Sequence, residues 1–214
     1  MSRPLVITDC DEVLMHMVVP FAEWVDAEHG VLFRIEDASF AGALKRKECG
    51  TPLEAAEVWP LLDSFFRTEM TRQYPIPGAL AAMAAIAEQA DIVVLTNVGP
   101  DHQQARIDQL ALHDFHAPVI GSRGGKGEPV RRLIEQYRPP VAVFIDDLAG
   151  HHHSVAQEAP DVWRLHLVGE PAIADKIAAS KHAHARIDDW TAAQDWILAR
   201  LAENIPAPAP QTAS

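Results

Sequence analysis

Short apolar runs recur along the chain and predict buried β-strands. They cover Leu5–Thr8, Ile92–Thr96, Pro118–Ile120, Val141–Ile145 and Val162–Leu167. Segments with helical patterning lie between or after them, at Ala79–Gln89, Pro100–His113, Glu128–Tyr137, from Ser154 onward, Pro171–Ala179 and Thr191–Ala202. Strands that alternate with helices of this length are typical of a parallel sheet covered on both faces. The pattern therefore predicts an α/β fold, with a three-layer, Rossmann-like parallel sheet as its core.

Residues 15–76 interrupt this alternation. They show helical patterns at Pro20–His29, Ala38–Lys47 and Leu53–Met70, and no convincing buried strand. We interpret 15–76 as a helical cap inserted after the first strand, where it can cover the carboxyl ends of the strands. The core then comprises 1–14 and 77–205, and the Pro- and Ala-rich end, 206–214, is expected to be disordered.

Composition limits the classes of function. A chain of 214 residues that is 48% hydrophobic can bury a full core, and it has no apolar run of the roughly 18 residues that a membrane span needs. A net charge of −12 excludes a general binder of nucleic-acid polymers, because it repels phosphate. The two cysteines, Cys10 and Cys49, argue against a disulfide framework and favour the cytoplasm. The expected partner is a small molecule; the oligomeric state cannot be read from the sequence.

Polar residues follow three of the predicted strands. Asp9 and Asp11 follow the first, Thr96 and Asn97 end the second, and Asp146 and Asp147 end the fourth. Lys126 comes shortly after the third strand. Each of these features alone is common in turns and helix caps. Because the carboxyl ends of parallel strands share one edge of the sheet, the set predicts a common ligand site.

The order of these residues resembles the four motifs of the haloacid dehalogenase-like superfamily, which is dominated by phosphatases. The matching segments are VITDCDEVL, VVLTN, Lys126 and FIDD. The resemblance implies that Asp9 is the nucleophile and Asp11 the general acid and base. It also implies that Thr96, Asn97 and Lys126 hold the phosphoryl group, and that Asp9, Asp11, Asp146 and Asp147 form a Mg²⁺ site. Glu12 departs from the commoner glycine after the second aspartate.

The residue chemistry supports these roles. A carboxylate can attack phosphorus and form an aspartyl-phosphate, and a second carboxyl group can protonate the leaving oxygen and then activate water. Asp9 and Asp11 are two residues apart, so a regular strand would direct both to one side and Cys10 to the other. Clustered carboxylates beside a phosphate require a divalent cation, and oxygen ligands suit Mg²⁺. Replacing Asp146 or Asp147 by Asn should therefore raise the stability of the metal-free protein or leave it unchanged.

Other functions are also compatible with these residues. A non-catalytic phospho-ligand-binding or regulatory protein could use the same fold, although such a protein does not need both Asp9 and Asp11. A haloacid-type dehalogenase is less consistent with Asp11 and the Asp146–Asp147 pair. The run His151–His153 suggests a transition-metal site, but consecutive residues rarely direct their side chains at one ion.

The substrate is not determined by the motifs. A weaker resemblance to 5'(3')-deoxyribonucleotidases rests on the cap length, on YPIPGAL and on IDDWTAAQDWIL. Sugar phosphates and phosphoglycolate are the alternatives. Trp24 and Trp59 are the tryptophans expected to touch substrate, since both lie in the predicted cap.

Overall fold

The computed structural model describes residues 2–34 and 40–208. Its strands are, in chain order, β1 (Leu5–Thr8), β2 (Val31–Phe33), β3 (Leu44–Arg46), β4 (Asp91–Thr96), β5 (Val119–Gly121), β6 (Ala142–Asp146), β7 (Trp163–His166) and β8 (Ala185–Arg186). Its α-helices are α1 (Val18–His29), α2 (Ala55–Thr68), α3 (Ala79–Ala87), α4 (Gln103–Ala111), α5 (Gly127–Tyr137), α6 (Ala149–Glu158), α7 (Pro171–Ala174) and α8 (Trp190–Glu203).

Six of the strands form one parallel sheet in the order β5-β4-β1-β6-β7-β8. The chain leaves β1, adds β4 and β5 on one side, and returns to add the remaining three on the other. β1 is therefore the strand at which the direction of winding reverses, and ligands of open α/β sheets bind at the carboxyl ends beside such a point. This confirms the predicted α/β sheet and all five predicted strands; β8 was not predicted.

Side chains of β1 divide between the two faces of the sheet, as strand geometry requires. Val6 packs into a core cluster that includes Trp190 and Ile197 of α8, whereas Leu5 and Ile7 pack into a second cluster on the α5 side. The helices cover both faces, and the apolar runs that predicted the strands are buried on both sides. None of the described helices is long and apolar enough to cross a bilayer.

The region between β1 and α3 differs in part from its prediction. α1 and α2 agree closely with the helical patterns at Pro20–His29 and Leu53–Met70. The described part of the predicted helix at Ala38–Lys47 instead forms a 3₁₀ turn (Ala41–Ala43) followed by β3, and residues 35–39 lie outside the described part of the chain. β3 pairs antiparallel with β2. The sequence shows no convincing buried strand in this region, and the two strands found are only partly buried. They are three residues each, too short to show alternation in the sequence.

Phe21, Trp24 and Phe65 of this region belong to one apolar cluster, which Val98 and Val168 from outside the region also join. At the other end of the chain, Ala207 is buried and its N–H donates to the Asp161 carbonyl (2.8 Å), so the predicted disorder does not include it. Residues 209–214 lie outside the described part. The division into a core and a cap stays a prediction.

Candidate active site

Three predicted site segments meet at the carboxyl ends of adjacent strands. Asp9 follows β1, Thr96 ends β4 and Asp146 ends β6, and β1 is hydrogen-bonded to both of the other two. Their meeting point is therefore a consequence of strand order.

Lys126 joins two of these strand ends. Its Nζ lies 2.8 Å from Asp9 Oδ2 and 2.7 Å from Asp146 Oδ2, and its side chain is fully buried. Burial disfavours the ammonium form, but the carboxylates of Asp146 and Asp9 outweigh this and raise the pKa of Lys126 above its usual value. Lys126 is therefore a fixed positive charge at the base of the site.

Asp9 is oriented by two contacts. Its Oδ2 faces Lys126, and its Oδ1 accepts a hydrogen bond from the N–H of Cys10 at 2.7 Å. Burial, opposed by Lys126 and reinforced by the charges of Asp146 and Asp11, raises the pKa of Asp9 to about 6. Cys10 packs into the apolar core, whereas Asp9 and Asp11 both line a cavity above the sheet. The prediction that Asp9 and Asp11 lie on one side of the chain and Cys10 on the other is confirmed.

Asp11 is held by residues that the sequence did not single out. Arg106 of α4 is fully buried, and its Nη2 donates to Asp11 Oδ1 at 2.7 Å and to Oδ2 at 2.9 Å. Gln73 Nε2 donates to Oδ1 at 2.6 Å, and Arg106 also donates to Gln73 and to Gln109. A polar network between α4 and the segment before α3 thus fixes the Asp11 carboxylate.

Thr96 and Asn97 are in different situations. The hydroxyl of Thr96 is buried and has no hydrogen-bond partner, so it is available to an added ligand. The side chain of Asn97 already donates to the Gly124 carbonyl (2.9 Å) and accepts from the Ser122 hydroxyl (2.9 Å). The predicted phosphate-binding role is therefore better supported for Thr96 than for Asn97, which ties two loops together at the rim.

Asp146 and Asp147 have opposite electrostatic surroundings. Burial opposes ionisation of Asp146, but Lys126 and then His151 hold its pKa well below the usual range. Burial and the charges of Asp146 and Asp9 raise the pKa of Asp147 well above its usual value. An added cation would therefore favour the ionised form of Asp147.

The three histidines of α6 point in different directions. The Nδ1 of His151 lies 2.9 Å from Asp146 Oδ1, and its Nε2 lies 3.2 Å from Asn97 Nδ2. His152 is in the core with its Nε2 against the Asp146 carbonyl (3.0 Å), and burial lowers its pKa to about 4. The ring of His153 lies against that of His182, at an angle of 47°. They do not converge on one ion, but His151 belongs to the site.

Glu12 occupies a backbone conformation that favours glycine, with φ of 57°. Its side chain compensates for this strain, because its Oε1 accepts the N–H groups of Met17 (2.8 Å) and Val18 (2.5 Å) at the start of α1. Burial, opposed by these two hydrogen bonds, raises the pKa of Glu12 to about 7. Glu12 thus attaches α1 to the loop that carries Asp9 and Asp11.

The donor set suits a magnesium ion. Four carboxylates share two buried cations: Lys126 contacts Asp9 and Asp146, and Arg106 contacts Asp11. Burial, together with the neighbouring negative charges, raises the pKa values of Asp9 and Asp147. Ligand atoms of Asp9, Asp146 and His151 lie within 4.8 Å of one another, and carboxylate oxygens are the ligands Mg²⁺ prefers. The carboxylate of Asp11 is committed to Arg106 and Gln73, which leaves it less available as a ligand.

Comparisons with solved structures identify the fold. A haloacid dehalogenase-like hydrolase from Streptococcus pneumoniae superposes with a TM-score of 0.63 at 12% identity, over 90% of this chain and 97% of that one. A haloacid dehalogenase-like hydrolase from Xanthomonas campestris gives 0.60 at 16% identity, over 95% and 98%. The chain has the haloacid dehalogenase-like fold, and the resemblance first seen in its four motifs is confirmed at that level.

Sequence comparison also finds one relative of low identity. The pyrimidine 5'-nucleotidase YjjG of Escherichia coli (strain K12) is 24% identical over 191 residues, which are 84% of this chain and 75% of that protein. No protein-family model matches the chain.

Arg106, Gln73 and His151 are the site residues that sequence reasoning missed or left open. Arg106 and Gln73 lie in a helix and a loop with no motif around them, and a lone arginine in a polar helix normally faces solvent. Position i+5 relative to Asp146 gave a weak signal for His151, because a residue one helical turn into α6 can reach back to the strand end.

Proposed function

We propose that the chain is a Mg²⁺-dependent phosphomonoester hydrolase that acts through an aspartyl-phosphate on Asp9. Its substrate would be a small phosphorylated metabolite, with a (deoxy)nucleotide as the leading candidate. The observation that carries the proposal is the Asp9–Lys126–Asp146 cluster, whose Asp9 lines one cavity together with Asp11. A binding protein would have little use for two carboxylates placed as nucleophile and proton carrier.

In this proposal Asp9 attacks phosphorus and displaces the leaving oxygen, which takes a proton from Asp11. Asp11 then removes a proton from water as the water attacks phosphorus, the Asp9–phosphorus bond breaks, and phosphate leaves. Lys126 and the Thr96 hydroxyl hold phosphoryl oxygens throughout. Bound Mg²⁺, held by Asp9, Asp146 and Asp147, would supply positive charge against the phosphoryl oxygens.

The proposal also covers the substrate, which rests on comparison, and the cellular location, which rests on composition. The name of YjjG and the weaker resemblance to deoxyribonucleotidases support a nucleotide substrate. A cytoplasmic location is supported by the two cysteines, both of which are free.

The test is release of inorganic phosphate from an aryl phosphate by EDTA-treated protein, with and without added Mg²⁺. We expect turnover only with Mg²⁺, and none from Asp9→Asn. Asp91→Asn is the matched control, because Asp91 begins β4 at the opposite end of the sheet and is partly exposed. Full activity in EDTA, or activity of Asp9→Asn within tenfold of wild type, would contradict the proposal.

A further inference from the structure

The cavity above Asp9 has two chemically distinct sides. Its volume is about 510 Å³, within the usual range for small-molecule sites. Carboxylates of Asp9, Asp11, Glu12 and Asp147 lie on one side. The rest of the lining is a largely apolar wall and comes mainly from residues 15–76 and from the segment after β7: Phe40, Trp59, Leu62, Phe66 and Ile173. A substrate whose phosphate lies at Asp9 would therefore place its leaving group against this wall.

The wall contains an aromatic pair that presents a flat surface. The rings of Phe40 and Trp59 stack with centroids 6.3 Å apart and an angle of 12° between their planes. Trp59 is nevertheless 55% exposed, which is high for so large an apolar side chain. Aromatic rings of this kind bury much area against another flat group at little cost in conformational entropy.

The described lining of this cavity contains no lysine or arginine. Lys126 is fully buried below it and paired with two aspartates. Residues 35–39, which the structure does not describe, contain neither of these residue types. Arg46 and Lys47 of the insert pair with Glu57 and Asp26, away from the cavity. A second anionic group on the leaving group would lose water against this apolar wall, and no lysine or arginine among the described lining residues could pair with it.

Given the proposed function, we infer that the site selects phosphomonoesters whose leaving group is uncharged and carries a flat or apolar ring. It discriminates against esters that bear a second anionic group, such as a carboxylate or another phosphate. Among the alternatives raised by the sequence, nucleoside monophosphates meet this requirement, whereas phosphoglycolate and bisphosphates do not. Of the two tryptophans expected to touch substrate, Trp59 lines the cavity, whereas Trp24 is buried in the apolar cluster with Phe21 and Phe65.

The experiment compares two nearly isosteric esters, 4-carbamoylphenyl phosphate and 4-carboxyphenyl phosphate, which differ in one negative charge. We expect wild type with Mg²⁺ to prefer the neutral ester at least tenfold in kcat/KM, mainly through KM. Calorimetric titration of Asp9→Asn with both esters measures the same preference without turnover. Equal binding of the two esters, preference for the carboxylate, or binding of neither would overturn the inference.

Two variants at Trp59 test separately what its aromatic ring contributes to binding and what a positive charge at this position would do. Trp59→Ala should weaken binding of the neutral ester about tenfold without helping the anionic one, and Trp59→Lys should improve binding of the anionic ester. Leu112→Ala is the control, because Leu112 is 70% exposed and does not line the cavity. Unchanged selectivity in both Trp59 variants would contradict the role of this wall.

The two claims can fail separately. If wild type hydrolyses neither ester while Asp9→Asn binds the neutral one at least tenfold tighter, the inference stands and the proposed function fails. If both esters are hydrolysed equally well, the proposed function stands and the inference fails.

Discussion

At the scale of single residues, Asp146 and Asp147 show how position decides the energetics of a buried charge. They are adjacent in sequence and both are buried, yet Asp146 contacts Lys126 and His151 whereas Asp147 faces mainly other carboxylates. The expectation that Asn at either position would not destabilise the metal-free protein must therefore be revised for Asp146. The sequence could not distinguish the two, because it does not show which one Lys126 reaches.

We expect Asp146→Asn to destabilise the metal-free protein by about 3 kcal/mol, since it removes one partner of a buried ion pair. We expect Asp147→Asn to stabilise it at pH 7, because burial and the charges of Asp146 and Asp9 oppose ionisation of Asp147. Denaturant unfolding in EDTA measures both values. Equal effects of the two substitutions would contradict the electrostatic difference.

The effect of Asp147→Asn should depend on pH. The folded-state pKa of Asp147 lies above its unfolded value, so ionisation of this group costs stability as pH rises. Near pH 3 both states carry it mostly protonated, since the unfolded-state pKa is about 3.9, and the variant should gain little. The gain over wild type should grow between about pH 4 and pH 7. A gain that is constant over this range would show that Asp147 titrates normally.

Asp11 offers a second test at this scale. If it protonates the leaving oxygen, Asp11→Asn should slow alkyl phosphates by about 10²–10⁴-fold and nitrophenyl phosphate much less, because nitrophenolate leaves without a proton. The ratio of the two rates, measured on one preparation, is independent of any loss of folded protein caused by leaving Arg106 unpaired. Equal slowing of both esters would contradict the acid role.

At the scale of secondary-structure elements, helix α5 determines where Lys126 lies. Lys126 immediately precedes α5, whose first residue, Gly127, packs against α6 and donates its N–H to Ser154 Oγ at 2.7 Å. A Cβ added at Gly127 would lie 2.3 Å from the Ser154 carbonyl oxygen and 2.8 Å from Glu158 Cγ. Because one of these contacts is backbone, the two helices would have to separate.

Gly127→Ala should therefore lower stability by about 2 kcal/mol and reduce kcat at least tenfold, since Lys126 would shift from Asp9. Gly150→Ala is the matched control in α6, where an added Cβ has no neighbour within 4 Å and alanine favours the helix. Thermal unfolding and kcat of both variants check this. A loss of stability with unchanged kcat would show that the contact between α5 and α6 does not determine the position of Lys126.

Elements with a strong apolar pattern were predictable, and those shaped by tertiary packing were not. β1, β4 and β6 are continuous apolar runs, so their existence and order followed from the sequence. β2 and β3 are three residues each and form only by pairing with one another. α6 begins at Ala149, before its expected start, because His151 and His152 both bond back to Asp146.

At the scale of the whole molecule, strand order accounts for what could be predicted of the site. The strand order places β4 and β6 on either side of β1. This brings Asp9, Thr96 and Asp146 together independently of how the helices pack. The contacts of Asp11 with Arg106 and Gln73 could not be predicted, because they depend on how α4 packs against the insert. The apolar wall of the cavity could not be predicted either, because it depends on how residues 15–76 pack over the sheet.

The overall charge of −12 and the crowded carboxylates predict a response to divalent cations. Mg²⁺ added to EDTA-treated protein should raise Tm with concentration, because it binds the folded state preferentially. KCl at matched ionic strength separates this from general screening. Asp147→Asn should show a smaller Mg²⁺-dependent shift. Equal shifts with KCl and MgCl₂ would contradict a specific site.

Trapping the covalent intermediate tests the central claim most directly. Wild type and variants are mixed with nitrophenyl phosphate and Mg²⁺, quenched in acid, and analysed by intact mass and peptide mapping. We predict one phosphoryl group on Asp9, lost on treatment with hydroxylamine and absent from Asp9→Asn. We also predict greater accumulation in Asp11→Asn, since loss of the base slows hydrolysis of the intermediate. Phosphate release by wild type with no label on Asp9, or a label that persists in Asp9→Asn, would contradict Asp9 as the nucleophile.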